Sequence, residues 1–257
     1  MYHFSWLELI PGAAEGLEHA LHLSSGQAIS VLGAWWVCLL LVGFALLARS
    51  GLNRAIARGG IAQYVPDAGL SLRNIGELLT DGLDGLFGSV LGKKDARVFF
   101  PLLAGLFTYI LTSNLQGVIP GFLPPTDNLN TNLGMALVVT VVFNGVGMYR
   151  QGPLNYLKHM CGPVWWLAWL MFPVEALGMF LIRPASLTLR LTGNIFGDHM
   201  VFGIMSEVTH GLVVPFLFLG LGIFVSFIQA LVFTLLSCVY ISFAVAHEEH
   251  GHEAAHH

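Results

Sequence analysis

The fold is decided by an uncharged stretch at residues 211–246, GLVVPFLFLGLGIFVSFIQALVFTLLSCVYISFAVA. At 1.5 Å per residue a helix of this length measures about 54 Å, whereas the hydrocarbon core of a bilayer is about 30 Å thick. Pro215 lies near the start of the stretch and leaves the remainder uninterrupted. We therefore predict a membrane helix that is too long to cross the bilayer upright and is strongly tilted.

A second long apolar stretch, residues 163–209, precedes it and contains Pro173 and Pro184. As one helix it would measure about 70 Å. A break at Pro184 into two short spans would put Arg183 in an external turn, against the charge bias of the other loops. We favour one long helix, kinked at its prolines. Because tilts beyond about 40° need a protein surface to lie against, the two long helices in 163–246 predict a partner subunit.

The composition is that of an integral membrane protein. Of the 257 residues, 55% are hydrophobic and only 10% are charged, whereas soluble domains carry about 25% charged residues. A net charge of −4 excludes a nucleic-acid-binding protein, which would carry a clustered basic face. The three cysteines form no CxxC pair, so we expect neither a disulfide framework nor a zinc site.

Three further spans are predicted from the remaining apolar runs. Residues 28–48 form the first span, and residues 98–149 form a helical hairpin. Most of the eleven basic residues lie between the first span and the hairpin, and the positive-inside rule makes that stretch cytoplasmic. These basic residues are Arg49, Arg54, Arg58, Arg73, Lys93, Lys94 and Arg97. Residues 1–27 are then external and the C-terminus is cytoplasmic after five crossings. Residues 1–27 contain no basic residue, so no cleaved signal peptide is expected.

Residues 70–92 show an amphipathic pattern instead of a continuous apolar run. Apolar side chains recur every three or four positions, with polar side chains between them. This pattern predicts a helix that lies at the membrane interface and does not cross the bilayer. The apolar positions are Leu72, Ile75, Leu79, Leu83, Leu86 and Val90.

Arg190 is the most informative polar residue, because it lies in the middle of an apolar helix. An ionisable side chain inside a span costs at least about 2.5–3.5 kcal/mol, so it needs a function or a partner. Arginine stays protonated, which makes Arg190 a permanent cation and not a proton carrier. At about 100° per residue, Ser186 and Asn194 flank it on one face, and the titratable Asp198 and His199 follow about two turns later. The alternative is a purely structural Arg190, neutralised by a buried carboxylate.

Glu175 and Glu207 lie toward opposite ends of the same helix, with Arg190 between them. Acids toward both ends and a fixed cation between them are the layout of two aqueous access paths that meet at a barrier. Alternatively, both carboxylates only reach the headgroups. On the last helix, Gln229 could hydrogen-bond to Arg190 or line its site, or it could serve only to hold helices together.

Residues 247–257 form a tail rich in His and Glu. The segment His247–His250 does not match the HExxH zinc pattern, because its second histidine comes one residue too early. We interpret these residues as a solvated cytoplasmic tail and expect no metal site.

Two stretches on the long helices resemble the signature of subunit a of the F-type ATP synthase family. One is RPASLTLRLTGN at Arg183–Asn194, and the other is IQALVF at Ile228–Phe233, running on to Tyr240. Weaker similarities in the hairpin extend the resemblance to roughly residues 97–249.

The resemblance implies that the two long helices lie against a rotating ring of c subunits. Arg190 then matches the family's essential arginine, which keeps a passing ring carboxylate ionised and separates two proton half-channels. Gln229 matches the glutamine that faces it. Asn194 and His199 match positions of the half-channel on the non-cytoplasmic side, and Glu175 approximates the acid toward the cytoplasmic exit.

Two features depart from the family pattern. In several branches an ionisable residue lies seven positions before the glutamine, where this chain has Gly222. The proton relay then relies on Asp198, His199 and water. The spacing from Glu175 to Pro184 is also one residue longer than the family pattern.

The sequence therefore predicts an all-α integral membrane protein with about five membrane-crossing helices and one interfacial amphipathic helix, the last two crossing helices being long and strongly tilted. We expect the proton-translocating stator subunit of the Fo sector of a rotary ATP synthase, with no bond chemistry of its own and no cofactor. Its expected partners are the c ring, subunit b and the lipid bilayer, within a hetero-oligomeric complex. The expected location is a bacterial inner membrane, with a plastid thylakoid as the alternative.

Two other function classes also suit parts of the sequence. A cation-coupled transporter, whose Arg190 would bind an anionic substrate, is the main alternative. A membrane-bound haem enzyme is disfavoured, because only His199 lies clearly within a span.

Overall fold

A computed structural model describes the chain at residues 16–19, 24–59, 69, 71–119, 122–153, 156, 166, 168–209 and 213–253. Within these ranges every secondary-structure element is a helix. The elements are α1 (Ser25–Arg58), α2 (Leu72–Leu91), α3 (Lys93–Val118), a 3₁₀ turn (Pro125–Asp127), α4 (Leu129–Gln151), α5 (Ala168–Leu177), a π-helical segment (Gly178–Ile182), α6 (Arg183–Thr209) and α7 (Val213–Glu253).

Five helical stretches in the described part of the chain are long and apolar enough to cross a membrane. They are Gly26–Ala57, Lys93–Val118, Leu129–Arg150, Trp169–Gly197 and Leu219–Val245. Helices suit this environment because each bonds its backbone N–H and C=O groups within its own segment. The prediction of an all-helical membrane protein with about five crossing helices is confirmed. The tilt of the last two helices and the interfacial position of α2 stay predictions.

Two helices extend beyond the ends expected from hydropathy alone. Helix α1 continues to Arg58, ten residues past the predicted end of the first span, and stops at Gly59, whose φ of 66° favours glycine. Helix α7 has 41 residues and runs to Glu253, so the first residues of the predicted 247–257 tail are helical. Apolar composition defines the part of a helix that lies in lipid, and a helix can continue beyond it into water.

The long helix before α7 is continuous, since α5, the π-helical segment and α6 follow one another from Ala168 to Thr209 without a break. At 1.5 Å per residue this measures about 63 Å. Pro184 has no N–H to offer the carbonyl of Phe180 and its ring crowds that carbonyl. Phe180 lies inside the π-helical segment, where hydrogen bonds span five residues and the turn is wider. The wider turn accommodates the proline, so the chain does not divide into two short spans there.

The packing divides the chain into two compact units, Met1–Pro125 and Thr126–His257, and the prediction of a single membrane domain stays a prediction. In the first unit α2 packs closely on α1. A Cβ atom at Gly51 would lie 3.2 Å from Arg73 Cβ, and one at Gly76 would lie 3.4 Å from Ala48 Cβ. These two glycines therefore set the close approach of the two helices.

In the second unit α4 packs against both α6 and α7, and α6 also packs against α7. The side chains between the three helices are large, apolar and fully buried, which keeps the helices in fixed register. They include Phe143 on α4, Leu187 and Leu191 on α6, and Phe233 and Ile241 on α7. This core determines which side of α6 faces outward.

Candidate functional site

Helix α6 has one buried side and one exposed side, both set by four-residue spacing. Leu187, Leu191 and Ile195 face the core and are at most 7% exposed. The side chains one position earlier in each case are exposed, and these are Ser186, Arg190 and Asn194. The sequence expectation that these three share a face with Arg190 at its centre agrees with this arrangement.

Arg190 projects from the exposed side of α6, which carries large apolar side chains as well as the polar Ser186 and Asn194. Leu189 and Phe196 beside it are 64% and 60% exposed. Arg190 makes no ion pair or hydrogen bond with any described residue, so the buried carboxylate of the purely structural alternative is not found in the described part of the chain. A cation among large apolar side chains in a membrane is costly, so Arg190 calls for an anionic partner.

One helical turn after Arg190, a polar pair joins α6 to α7. Asn194 Nδ2 donates a hydrogen bond to Gln229 Oε1 at 2.5 Å, and Gln229 is only 3% exposed. The side chain of Gln229 therefore bonds to Asn194 and not to Arg190. Its Nε2 is buried without a partner among the described residues. A buried donor left unpaired costs about 1–3 kcal/mol, so Nε2 marks a place where a further polar group would be held.

Sequence reasoning missed Asn132, a fully buried residue near the start of α4. Its Nδ2 donates to the backbone carbonyl of Thr126 at 2.6 Å and to Thr192 Oγ1 at 2.8 Å. Thr192 lies two residues after Arg190, so Asn132 ties the end of the preceding loop to the segment that carries the cation. An asparagine at the start of an apolar run was the available sequence signal, but its partner is 60 positions away.

We predict that Asn132→Ala destabilises the chain by about 2–4 kcal/mol, because it removes the hydrogen bonds to the buried Thr126 carbonyl and the half-buried Thr192 hydroxyl and opens a cavity. The measurement is the midpoint of thermal unfolding of this chain within the purified complex. Asn130→Ala is the matched control, since Asn130 is exposed two positions earlier on the same helix. A midpoint for Asn132→Ala equal to that of the control would contradict the prediction.

Arg183 is a second cation that sequence reasoning did not assign to the site. Its guanidinium carbon lies 5.5 Å from the ring centroid of Phe143 on α4 and 5.2 Å from that of Tyr240 on α7. Its Nη2 lies 3.8 Å from Glu175 Oε1. The side chains of Arg183 and Glu175 are 26% and 46% exposed, so the pair lies at the edge of the bundle. Opposite charges on one apolar helix were the signal that could have predicted this pair.

Tyr156 packs close to this pair. Its hydroxyl donates to Asn144 Oδ1 at 2.6 Å and lies 3.2 Å from Met179 Sδ. Burial raises the pKa of Tyr156, the Arg183 guanidinium lowers it, and the Glu175 carboxylate raises it, with a net shift upward. The Tyr156 hydroxyl therefore stays neutral at physiological pH and acts as a fixed hydrogen-bond donor.

The π-helical segment lies between Glu175 and Pro184. Its hydrogen bonds span five residues and not four, so its turn is wider than that of an α-helix. The longer spacing from Glu175 to Pro184 relative to the family pattern stays a prediction.

The remaining predicted site residues lie on helices but outside the described side chains. Asp198, His199 and Glu207 belong to the backbone of α6, and Gly222 belongs to α7. Among the described residues, no group of three His, Cys, Asp or Glu side chains could hold a metal ion.

Comparison with known proteins identifies the family. A family model described as the ATP synthase A chain matches residues 31–242. ATP synthase subunit a of Bdellovibrio bacteriovorus is 39% identical over 246 residues, which cover 95% of this chain and 99% of that protein. The protein of the same name from Trichlorobacter lovleyi is 42% identical over 225 residues, covering 88% of this chain and 90% of that protein. ATP synthase subunit a 1 of Syntrophotalea carbinolica is 42% identical over 231 residues, which cover 90% of this chain and 89% of that protein. With a family match over most of its length and relatives near 40% identity, the chain belongs to the ATP synthase A chain family.

Proposed function

We propose that this chain is the proton-translocating stator subunit of a bacterial rotary ATP synthase, working with a c ring and subunit b. Family membership supports the overall role, and the exposed Arg190 carries the mechanism. A permanent cation on an apolar outer face needs a mobile anion opposite it. A carboxylate on a rotating neighbour is such an anion.

In this mechanism Arg190 separates two half-channels. A ring carboxylate that reaches Arg190 is stabilised in its ionised form, because an opposite charge nearby in a low dielectric favours the charged state. It gives up its proton to the half-channel on one side of Arg190 and takes up another from the half-channel on the other side. A proton cannot pass directly between the half-channels, since the guanidinium repels it and does not release its own.

The half-channel on the non-cytoplasmic side is assigned to Asn194, Asp198, His199 and Glu207, with Gln229 at its inner end. Support comes from the Asn194–Gln229 hydrogen bond and from Gln229 Nε2, a buried donor aimed at no described protein group. Such a donor suits a water molecule or the ring carboxylate itself. The cytoplasmic half-channel is assigned to Ser186 and Glu175, which lie on the other side of Arg190 along the helix.

The proposed orientation places the N-terminus outside and the C-terminus in the cytoplasm. The seven basic residues from Arg49 to Arg97, which lie at the end of α1, in α2 and at the start of α3, support it, since the cytoplasmic side carries the excess of Lys and Arg. Proton entry then occurs at the Glu207 end of α6 and proton exit at the Glu175 end during synthesis. Each proton crossing 100 mV releases about 2.3 kcal/mol.

The proposal is tested with inside-out membrane vesicles from cells that carry the complete complex and from cells that lack this chain. We expect ATP-driven acidification of the vesicle interior only when the chain is present. As a control for assembly, the other subunits are quantified in both membranes. Acidification that persists in the absence of the chain would overturn the proposal.

A second measurement separates the transporter alternative. The chain alone, reconstituted in liposomes, is expected to show no uptake of anionic solutes driven by a proton or sodium gradient. Transporters bind substrate in a central site between helices, whereas Arg190 lies on an outer face of its bundle. Gradient-driven uptake by the chain alone would favour the transporter.

A further inference from the structure

The ion pair between Arg183 and Glu175 differs from an ordinary surface ion pair because aromatic rings contact its cation. Two aromatic rings from two other helices, Phe143 and Tyr240, lie within 5.5 Å and 5.2 Å of the Arg183 guanidinium. The two ring centroids are 6.0 Å apart, so the cation contacts a continuous aromatic surface. Cation–π contacts on partly desolvated groups hold a guanidinium in place more firmly than water does. Arg183 is thus fixed by α4 and α7 and not only by its own helix.

We propose that Arg183 is a positioning residue for the cytoplasmic half-channel: it holds the Glu175 carboxylate at the place where protons leave for the cytoplasm. This inference rests on the proposed function, because it takes the exit role of Glu175 as given. Arg183 does not carry protons itself, since an arginine side chain is never deprotonated under working conditions. It therefore acts through its charge and through Glu175.

The π-helical segment makes this contact geometrically possible. Glu175 and Arg183 are eight residues apart, and in an uninterrupted α-helix they would be about 80° apart around the axis. Residues seven apart differ by only about 20°. The wider turn at Gly178–Ile182 takes up one residue and returns the eight-residue pair to a common side, where Nη2 and Oε1 lie 3.8 Å apart.

The polar side chains near the pair are held in place by hydrogen bonds. The Tyr156 hydroxyl is anchored on Asn144 Oδ1 at 2.6 Å, and Asn144 Nδ2 in turn donates to the carbonyl of Thr140 at 2.8 Å. Two tyrosines in the described part of the chain lie next to the pair. Tyr156 interacts electrostatically with both Arg183 and Glu175, and the Tyr240 ring lies 5.2 Å from the Arg183 guanidinium carbon. Glu175 is the carboxylate of this cluster, and Arg183, fixed by the two rings with its Nη2 3.8 Å from Glu175 Oε1, has the positioning role.

The first test is a double-mutant cycle on ATP-driven acidification, using vesicles with equal amounts of assembled complex. We expect Arg183→Gln and Glu175→Gln each to lower the rate about tenfold, as displaced groups do in proton-transfer sites. The double variant is expected to be no slower than Glu175→Gln, because Arg183 acts through Glu175. Arg183→Lys keeps the charge and the ring contacts and is expected to restore at least half of the wild-type rate.

Two outcomes of this cycle overturn the inference. One is an Arg183→Gln rate equal to wild type. The other is a double variant slowed by the product of the two single effects, which shows independent roles. The proposed function has its own readout in the same experiment: wild type must acidify the vesicles and Arg190→Ala must not. If wild type does not acidify the vesicles, or if Arg190→Ala does, the result counts against the proposed function and not against the role of Arg183.

A second test does not require removal of Arg183. In a chain whose native cysteines are replaced by alanine, Glu175→Cys is labelled from the cytoplasmic face with anionic and with cationic methanethiosulfonate reagents. Because the Arg183 cation is next to this position, we expect the anionic reagent to be favoured about threefold or more, relative to the same ratio at Val174→Cys. Val174 is the exposed neighbouring residue and serves as the control. An equal ratio at both positions, or a Cys at 175 that does not react from the cytoplasmic face, overturns the inference.

Discussion

Replacing Arg190 by alanine is expected to lower ATP-driven acidification by a factor of about 100 or more. Removal of one partner of a desolvated charge pair costs about 3–5 kcal/mol, and each 1.36 kcal/mol corresponds to a factor of ten. In the proposed mechanism this pair is Arg190 and the ring carboxylate. Arg190→Ala removes both the stabilisation of the ionised carboxylate and the barrier between the half-channels.

The same variant should therefore conduct more protons passively while pumping fewer. The measurement is the fluorescence quenching of a pH-sensitive dye in inside-out vesicles, first with ATP and then with an imposed potential. Arg54→Ala is the matched control, because Arg54 is an exposed arginine on α1 in the other compact unit. Equal acidification by Arg190→Ala and the control would show that Arg190 has only a structural role. The transporter alternative would then be favoured.

The second large expected effect is that of replacing Gln229. Its size decides whether Gln229 only holds two helices together or lines the proton channel. Gln229→Leu is expected to lower ATP-driven acidification about tenfold, because it removes the acceptor of Asn194 Nδ2 and the buried Nε2 donor. The loss should appear in complexes that still contain normal amounts of this chain. Ser237→Ala, on the same helix, is the control, since among the described residues the Ser237 hydroxyl bonds only to the Phe233 carbonyl one turn away.

The double variant Asn194→Leu with Gln229→Leu separates the interpretations. Replacement of both partners of a hydrogen bond by apolar groups is nearly neutral for stability, so a simple helix contact would be restored. If the pair lines the proton path, the double variant assembles normally and still pumps at a tenth of the wild-type rate or less. Recovery of wild-type pumping in the double variant would assign the pair to helix packing alone.

Much of the fold could be predicted from residues that act locally. The apolar runs gave the crossing helices, and the four-residue spacing of Leu187, Leu191 and Ile195 agrees with a face on which Arg190 is exposed. Both inferences need only the length of a stretch and the period of a helix.

The contacts that tie the site together could not be predicted in this way. Asn132 meets Thr192 across 60 positions, and Arg183 lies over the rings of Phe143 and Tyr240 from two other helices. Such partners depend on how α4, α6 and α7 are rotated against each other, which is decided by the whole core and not by any one stretch. The π-helical segment was likewise hidden, because an extra residue in an apolar run leaves the composition unchanged.

The exposed Arg190 also has a consequence for assembly. A chain inserted alone bears the insertion cost of about 2.5–3.5 kcal/mol for a cation in lipid until an anion lies opposite. In the proposed mechanism that anion is the ring carboxylate, so the charge that controls proton transfer also favours docking of the ring. The unassembled chain is then less stable in the membrane than the assembled one, which is a thermodynamic basis for distinguishing the two.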